Sequence, residues 1–486
     1  MRGIFVIWLG QMISGIASSI TAVALPIWIL NITGGSGTAL GFLEFFFFGS
    51  YLVVIQFAGV LIDRYNRKMM MLVYDFVSLA VIAILLAIQA GGGLDVWHLY
   101  AAAVFQGIGF AFQSPSYSAA ITTMVSKKNY VRANGLMSLL SDAPEIFGPI
   151  LAGTLYLVIG LEGILAINMI ALIFSIGALL FVDVPATPLT REGEMSRSRF
   201  FKETIYGVQY ILKRPGLLGV QLIFLFGNLF SGIALSVAAL YPMILLRTGN
   251  NTEAVGVVQS AGALAAVIAG IYLSTWGGIK RPIHAILLGW ILSSMFGLTL
   301  LGAGQVLWIW LIAIVINSLF GPVVNVAIDT FMQTKIAPDL QGRVFSASDF
   351  MAQAMLPITP LLAGFLGDRV FEPAMQSDGT LVSLFSWLVG TGPGSGFGLL
   401  IIFCGVGGTL IGLSGYLISS IRSVDKIMPD YAPLPPVGMV RLSRPQQAER
   451  SVKPVTGNSI KIKPEAEADK SAKDKSGSSV KTARKK

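Results

Sequence analysis

The chain has 486 residues, of which 54% are hydrophobic and 12% are charged, and its mean hydropathy is +0.74. This composition excludes a soluble globular protein and is typical of a protein that crosses the membrane many times. The net charge of +9 does not indicate a nucleic-acid partner, because residues 422–486 alone hold 15 basic and 7 acidic side chains. The single cysteine, Cys404, excludes a disulfide framework and a cysteine metal site, and no cofactor is expected.

Apolar runs of membrane-spanning length follow one another along the chain. A helix needs about 20 apolar residues to cross a hydrocarbon core roughly 30 Å thick. Twelve runs meet that length, so we expect an all-α membrane protein with twelve transmembrane helices in two pseudo-symmetric six-helix bundles. The runs are residues 4–30, 38–62, 69–90, 97–124, 132–158, 161–182, 216–246, 254–277, 283–303, 306–334, 343–367 and 396–421.

Polar stretches separate the predicted bundles. The linker contains an amphipathic helix, residues 200–213, predicted to lie at the membrane surface, and residues 381–388 form a short interfacial segment. The C-terminal tail is rich in Pro, Lys and Ser and is predicted to be disordered. Its basic bias suits anionic lipid headgroups, and a solvated tail without a specific role is the alternative. The predicted organisation is an N-terminal bundle in residues 1–182, a cytoplasmic linker in 183–215, a C-terminal bundle in 216–421 and the tail in 422–486.

The distribution of Lys and Arg predicts the orientation in the membrane. Sixteen of the 34 basic residues lie in the same set of connections as Arg64, fifteen lie in the tail and one is Arg2. Only Arg247 and Arg369 lie in the opposite set. Because basic residues beside short loops stay on the cytoplasmic side, both termini are expected to be cytoplasmic.

A charged loop between the second and third runs, residues 59–68, reads Gly-Val-Leu-Ile-Asp-Arg-Tyr-Asn-Arg-Lys. It resembles the loop Gly-x-x-x-Asp-Arg-x-Gly-Arg-Arg between helices 2 and 3 of the major facilitator superfamily. Asn66 replaces the usual glycine, which is a mild departure because asparagine tolerates a left-handed backbone. We expect Asp63 to cap a facing helix near Arg343 and to lock one conformation. The predicted gating residues are Gly59, Asp63, Arg64, Arg67 and Lys68.

The fifth run is similar to the antiporter motif of the same family, Gly-x8-Gly-x3-Gly-Pro-x2-Gly-Gly. Small residues let helices approach closely and prolines bend a helix, which suits a gate packed against a neighbour. The general abundance of Gly and Pro in membrane helices is the alternative explanation. The matching residues are Gly135, Gly148, Pro149 and Gly153, whereas Pro144 and Ala152 depart from the motif.

The fourth run has Ala103 where many drug:proton antiporters of the family have arginine, so their carboxylate–arginine coupling is not carried over. Residues 115–134 and 325–346 resemble the macrolide-efflux and siderophore-export branch, and the likeness covers residues 4–421. It implies a secondary transporter, not an enzyme, that exports amphipathic small molecules by alternating access from a bacterial cytoplasmic membrane. It also implies a monomer whose partners are the lipid bilayer, protons and a small substrate. The lack of Lys and Arg inside the spans favours a neutral or cationic substrate.

An internal repeat supports the two-bundle organisation, since transporters of this kind are often built from related halves. A shift of 211 residues superposes the fifth and eleventh runs without a gap, although shared apolar composition accounts for part of the match. The shift lays Arg132 on Arg343, Pro149 on Pro360, and Leu151-Ala152-Gly153 on Leu362-Ala363-Gly364.

Six carboxylates lie inside predicted spans, whereas the middle of every span lacks Lys and Arg. A lone ionised side chain at the bilayer centre costs at least about 2.5 kcal/mol, so these acids should be protonated, paired or beside a wet cavity. Asp142 and Glu145 share one helix face and are the predicted proton-coupling pair, with acids bonded to neighbouring backbone as the alternative. For Asp75 and Asp349, bonding to loop arginines is an equal alternative to proton coupling. The six residues are Glu44, Asp75, Asp142, Glu145, Asp329 and Asp349.

Other functions fit the sequence less well. A metabolite importer on the same fold stays open, although cavities for anionic solutes usually present Arg or Lys. A membrane-embedded enzyme would need a nucleophile, a base or a metal cluster, and the spans offer one cysteine and no central histidine. A sensor or scaffold could keep the packing motifs without needing the acids inside the spans.

Overall fold

The computed structural model describes residues 2–64, 67–124, 130–182, 200–275, 279, 281–376 and 378–428. Helices form all the regular secondary structure in these ranges. Ten of the described stretches are long and apolar enough to span a membrane. One of them, Leu136–Phe181, contains two predicted spans, and the predicted fourth span is a 29-residue helix outside the ten. Each predicted span thus has a helical counterpart, and the all-α fold class is confirmed.

The first half of the protein contains five long helices. The last of these helices covers the predicted fifth and sixth spans, which are separated by a kink at Gly160. The backbone of Gly160 has φ 63° and ψ −171°, a conformation that is readily open only to glycine. The five helices are α1 (Arg2–Thr33), α2 (Gly37–Arg64), α3 (Arg67–Ala90), α4 (Val96–Met124) and α5 (Tyr130–Phe181).

The second half is more interrupted than the sequence predicts. The predicted seventh, ninth and eleventh spans each consist of more than one helical piece. Its helices are α6 (Phe200–Leu212), α7 (Pro215–Leu235), α8 (Val237–Thr248), α9 (Thr252–Thr275), α10 (Pro282–Leu292), α11 (Thr299–Ala303), α12 (Leu307–Lys335), α13 (Pro338–Gln353), α14 (Ile358–Leu366), α15 (Glu372–Ala374), α16 (Val382–Val389), α17 (Ser395–Leu417), α18 (Ser419–Arg422) and α19 (Val424–Ile427). The π-helical turns Ser293–Leu298 and Gly367–Phe371 connect α10 to α11 and α14 to α15.

The short helices agree with two predictions about the connections. α6 occupies the predicted amphipathic segment, and α16 occupies the predicted interfacial segment, where Trp387 is 79% exposed. α18 and α19 continue the helical structure a few residues beyond the predicted end of the C-terminal bundle. The predicted disorder of the remaining tail, residues 429–486, lies outside the described residues.

The break between α7 and α8 lies at Ser236, whose backbone is extended with φ −60° and ψ 148°. Both backbone groups of Ser236 are hydrogen-bonded. The Ser236 N–H donates to the Gly232 carbonyl, and the Ser236 carbonyl accepts from Ala239 and Leu240. The pairing of both backbone groups of Ser236 makes its extended conformation compatible with apolar surroundings.

The largest buried cluster contains residues from both halves of the protein. Its side chains fill the space between α1, α2, α8, α12 and α17. By contrast, Phe181 and Leu417 are 91% and 85% exposed, as suits side chains that face lipid tails. Fully buried members of the cluster are Ile27, Ile29 and Leu40 from the first half, and Tyr241, Trp310 and Phe397 from the second.

The internal repeat aligns Gly153 with Gly364, and each of these glycines contacts the opposite half of the protein. On α5, Gly153 packs on the start of α9, where a Cβ atom would lie 2.8 Å from the Thr252 carbonyl oxygen. On α14, Gly364 packs on the backbone of Gly37 at the start of α2. Both contacts lie where α2 and α9 begin, and we call this the Ser36 end of the bundle. The helices of the two halves therefore meet closely at the Ser36 end.

Candidate transport site

A cavity of about 570 Å³ lies between α5, α9 and α12. α5 and α9 touch at the Ser36 end, so the cavity occupies the space along these helices beyond their contact. Its lining is mostly small and apolar, apart from two carboxylates and two hydroxyl groups. The lining residues are Ser138, Asp142, Glu145, Ala263, Ala266, Val267, Gly270, Ile271, Ser274 and Pro322.

Asp142 and Glu145 are the charged groups of this cavity. They lie one turn apart on α5, Asp142 is half-buried, Glu145 is exposed, and their charges interact. Lys and Arg are absent from the described lining residues. At 1.5 Å per residue, Glu145 lies about 12 Å along α5 from Gly153 at the helix contact. The two acids therefore lie in the cavity about two to three helical turns from the contact that joins the two halves.

The contact between α5 and α9 is made backbone to backbone. A Cβ atom on Gly256 would collide with the Pro149 carbonyl oxygen. The Thr252 hydroxyl donates a hydrogen bond to the Gly153 carbonyl at 3.0 Å. Gly148 belongs to the same motif and packs instead on Ser19 of α1. The antiporter-type residues thus join α5 to one helix of each half.

Glu44 lies away from the cavity lining, on α2 where this helix faces α8. Its carboxyl group faces the backbone N–H groups of Val237 and Ala238, the first residues after the break. Its Oε2 atom is buried and has no hydrogen-bond partner among the described residues. The Tyr241 hydroxyl is close enough to interact with the charges of both Glu44 and Glu145. Glu44 is therefore outside the described cavity lining, and Tyr241 is within electrostatic range of both Glu44 and Glu145.

Asp349 occupies a different position from the other proton-coupling candidates. It is an exposed residue of α13, and its charge interacts with that of Asp329 on α12. Neither residue belongs to the described cavity lining. The structure thus separates Asp349 from Asp142 and Glu145.

Asp75 is buried in the first half, with 1% of its surface exposed. Its Oδ2 atom accepts hydrogen bonds from Gln11 Nε2 and Ser175 Oγ, both at 3.0 Å. Gln11 Nε2 also donates to Ser175 Oγ at 2.8 Å, so the three side chains form a closed network. Asp75 therefore bonds to uncharged side chains of α1 and α5, in place of the loop arginines considered from the sequence.

The predicted gating loop lies at the junction of α2 and α3. The side chains of residues 56–67 are outside the described residues, and so are the surroundings of Gly135. Lys68 Nζ donates to the Leu180 carbonyl at 3.2 Å, and the Arg343 guanidinium lies 6.0 Å from the Tyr206 ring centroid. The predicted contact between Asp63 and Arg343 stays a prediction.

Polar groups at the Ser36 end were not anticipated from the sequence. Arg247 donates to the carbonyls of Gly302, Gly304 and Val389. Glu372 accepts from Gly394 N at 2.6 Å and from Gly396 N at 2.9 Å at the start of α17. Asp368 accepts from the start of α2. In the sequence these residues lie at or near the ends of apolar runs, as charged residues at span boundaries usually do. Their position beside an apolar run is the only feature that could have identified them.

Two related helical halves with a cavity between their helices are an arrangement typical of secondary transporters. Residues 7–360 match the family model described as Major Facilitator Superfamily, and the chain belongs to this family. The family expected from the charged loop and the helix-5 motif is confirmed.

Several curated relatives of this chain are named as efflux proteins or exporters. Macrolide efflux protein A of Streptococcus pyogenes is 26% identical over 379 residues, which cover 75% of this chain and 89% of that protein. Enterobactin exporter EntS of Escherichia coli is 24% identical over 415 residues, which cover 82% of this chain and 89% of the exporter. The relatives support an efflux transporter.

Solved structures share the fold at low sequence identity. A bacterial homologue of the human lysosomal transporter Spinster, in an inward-facing and unoccupied conformation, has a TM-score of 0.63 and 14% identity. The match covers 89% of this chain and 98% of that one. A POT family transporter in complex with 5-aminolevulinic acid has a TM-score of 0.60 and 14% identity, with 86% and 96% covered.

Proposed function

We propose that this protein is a secondary active exporter of amphipathic small molecules, neutral or cationic, which it exchanges for protons by alternating access. The observation that carries the proposal is the cavity between α5 and α9, which presents Asp142 and Glu145 on apolar walls. An apolar wall accepts the hydrophobic part of a substrate, and a carboxylate attracts a positive charge. Relatives named for macrolide and enterobactin export support the direction of transport.

In the proposed cycle, substrate and protons compete for the same acids. Two carboxylates one helical turn apart repel each other when both are charged, and binding of either a proton or a cationic substrate relieves this repulsion. A substrate that enters the cavity binds best when the pair has released its proton. Opening towards an acidic exterior then releases the substrate and reloads the acids. Glu44 and Asp349 are the further candidates for proton coupling in this cycle.

The proposed orientation places the Ser36 end outside and both termini in the cytoplasm of a bacterial cell. It rests on the Lys and Arg residues, which concentrate in the opposite connections and in the tail. With the Ser36 end outside, the cavity lies on the cytoplasmic side of the helix contact, where an exporter takes up its substrate. We further propose that a single chain in the bilayer is the transporting unit.

Export of one specific siderophore or metabolite is the second candidate. The relative named enterobactin exporter, which aligns with 82% of this chain, favours it. The lack of Lys and Arg among the described lining residues argues against a strongly anionic compound. The alternatives differ in the number of compounds that the cavity accepts.

Drug and siderophore accumulation in a pump-deficient bacterium tests the proposal. Cells expressing the protein should accumulate less of several lipophilic cations or macrolides than cells with an empty vector. The double variant Asp142→Asn/Glu145→Gln should abolish this difference, whereas Glu162→Gln, which alters an exposed acid on the same helix, should preserve it. Equal accumulation with and without the wild-type protein, for every compound, would reject drug export.

A further inference from the structure

The side chain of Asp368 connects the two halves of the protein at the Ser36 end. Asp368 lies in the π-helical turn that follows α14. Its Oδ1 atom accepts a hydrogen bond from Gly37 N at 2.9 Å. Its Oδ2 atom accepts from Thr38 N at 2.8 Å and from Ser36 Oγ at 2.9 Å. A carboxylate from the C-terminal half therefore caps the first helical turn of α2 in the N-terminal half.

The corresponding contact between α5 and α9 has a different chemistry. Each helix start has a cap from its own chain segment, since Ala39 N donates to Ser36 Oγ and Ala254 N donates to Asn251 Oδ1. The repeat that lays Gly153 on Gly364 lays Leu157 on Asp368. Leu157 is apolar and 62% exposed.

In the part of the chain that the structure describes, the side-chain hydrogen bond across that contact is the neutral one from Thr252 to Gly153. Among the described residues, the contact between α14 and α2 therefore has a charged cap, whereas the contact between α5 and α9 has a neutral hydrogen bond.

A carboxylate at a helix start is stabilised in two ways. The unpaired N–H groups of the first turn carry a partial positive charge, which attracts an anion. Hydrogen bonds to an ionised acceptor are also roughly twice as strong as neutral ones. The contact of Asp368 with α2 is therefore expected to be stronger than the contact of Thr252 with Gly153.

The surrounding packing makes this cap sensitive to the separation of the halves. A Cβ atom on Gly41 would lie 2.6 Å from the Pro360 carbonyl oxygen, and Gly364 packs directly on Gly37. α2 cannot move away from α14 without breaking all three hydrogen bonds to Asp368. Hydrogen bonds that cross between two rigid bodies act together, because they form and break in one step.

We propose that Asp368 is a latch that holds the Ser36 end closed and releases the start of α2 when this end opens. Asp368 belongs to the C-terminal half, and the segment Ser36–Thr38 of the N-terminal half donates the hydrogen bonds that it accepts. The latch rests on the alternating access of the proposed function, but it depends neither on the substrate nor on the coupling ion. Its effect is to favour the closed state of this end over the open state.

Pulsed electron–electron spin resonance on purified protein measures the latch directly. The single cysteine, Cys404, is replaced by alanine, and spin labels are placed at Ile32 in the first half and Val306 in the second, both exposed near the Ser36 end. Asp368→Asn removes the charge at nearly constant size. Asp378→Asn, an exposed acid in the same connection, is the matched control.

The expected result is a larger share of long distances in Asp368→Asn. Loss of a helix cap changes an equilibrium by roughly tenfold, so the ratio of open to closed molecules should rise about that much. Thr252→Val removes the neutral link on the other side and should produce a smaller rise. Asp378→Asn should match the wild type.

Three further variants guard against misfolding and against an insensitive probe. Ser36→Ala removes one donor of the latch and should produce an intermediate rise, whereas Asp368→Glu keeps the charge and should rise less than Asp368→Asn. Gly364→Val forces the halves apart and serves as the positive control. If Gly364→Val lengthens the distances while Asp368→Asn and Ser36→Ala leave them as in the wild type, the latch is rejected.

Discussion

The Thr252 hydroxyl on α9 and the Gly153 carbonyl on α5 are joined by a hydrogen bond of 3.0 Å that connects the two halves of the protein. Gly153 belongs to the motif that resembles the family's antiporter signature. Its lack of a side chain lets α9 approach within contact of the α5 backbone. Small residues in membrane helices often serve such close approaches, because lipid offers no hydrophobic drive for association.

The same helix pair gives the first prediction. Gly256→Ala should destabilise the protein by about 1–3 kcal/mol, the usual cost of overpacking, because the new methyl group meets the Pro149 carbonyl oxygen. Thermal unfolding in detergent measures the change. Gly177→Ala is the control, since a methyl group there meets nothing within 4 Å. Equal unfolding temperatures of the two variants would contradict this account of the contact.

The second prediction concerns the buried network of Asp75. Asp75→Leu removes the acceptor of two hydrogen bonds, and unsatisfied buried donors cost about 1–3 kcal/mol. The variant should therefore unfold at a lower temperature than the wild type. Asp95→Asn, which changes an exposed acid of the same half, should not. An Asp75→Leu variant as stable as Asp95→Asn would show that the network contributes nothing to stability.

The third prediction concerns the charged loop after α2. Asp63→Asn and Arg67→Ala should each reduce transport several-fold at equal membrane abundance, because the loop charges stabilise one gate state and are not needed to insert a span. Export assays normalised to immunoblots of membranes measure this. Wild-type export by both variants would remove the loop from the gating mechanism.

The fourth prediction concerns the tail. Deletion of residues 430–486 should preserve transport, since this stretch is too polar to pack against a helical body. The measurement compares export by full-length and truncated protein in the same cells. A truncated protein that reaches the membrane and yet fails to transport would reveal a regulatory or docking arm.

Much of the fold could be predicted from the sequence, because membrane spans are recognisable as apolar runs of about 20 residues. The interruptions at Ser236 and at residues 354–357 were not predicted, because a single serine or proline does not end an apolar run. Gly160 marks the kink in α5, and the prediction placed a boundary there. Backbone breaks depend on contacts with neighbouring helices, which composition does not record.

The site was predicted in part. Asp142 and Glu145 could be paired because their spacing of three residues places them on one helix face. The partners of Asp75 were missed, since Gln11 and Ser175 lie 64 and 100 residues away and carry no charge that would suggest a pairing. Asp368 was missed because an acid directly after an apolar run has the same appearance as the end of a span.

The proposed coupling is tested most directly by proton release from the purified protein in proteoliposomes when a macrolide is added. Wild-type protein should release protons as the substrate displaces them from Asp142 and Glu145. Asp142→Asn/Glu145→Gln should release none and should still catalyse slow downhill exchange, because the fold is kept and only the titrating groups are lost. Glu162→Gln should behave as the wild type. Proton release by the double variant equal to that of the wild type would contradict the account and would move the coupling site elsewhere, with Glu44 as the next candidate.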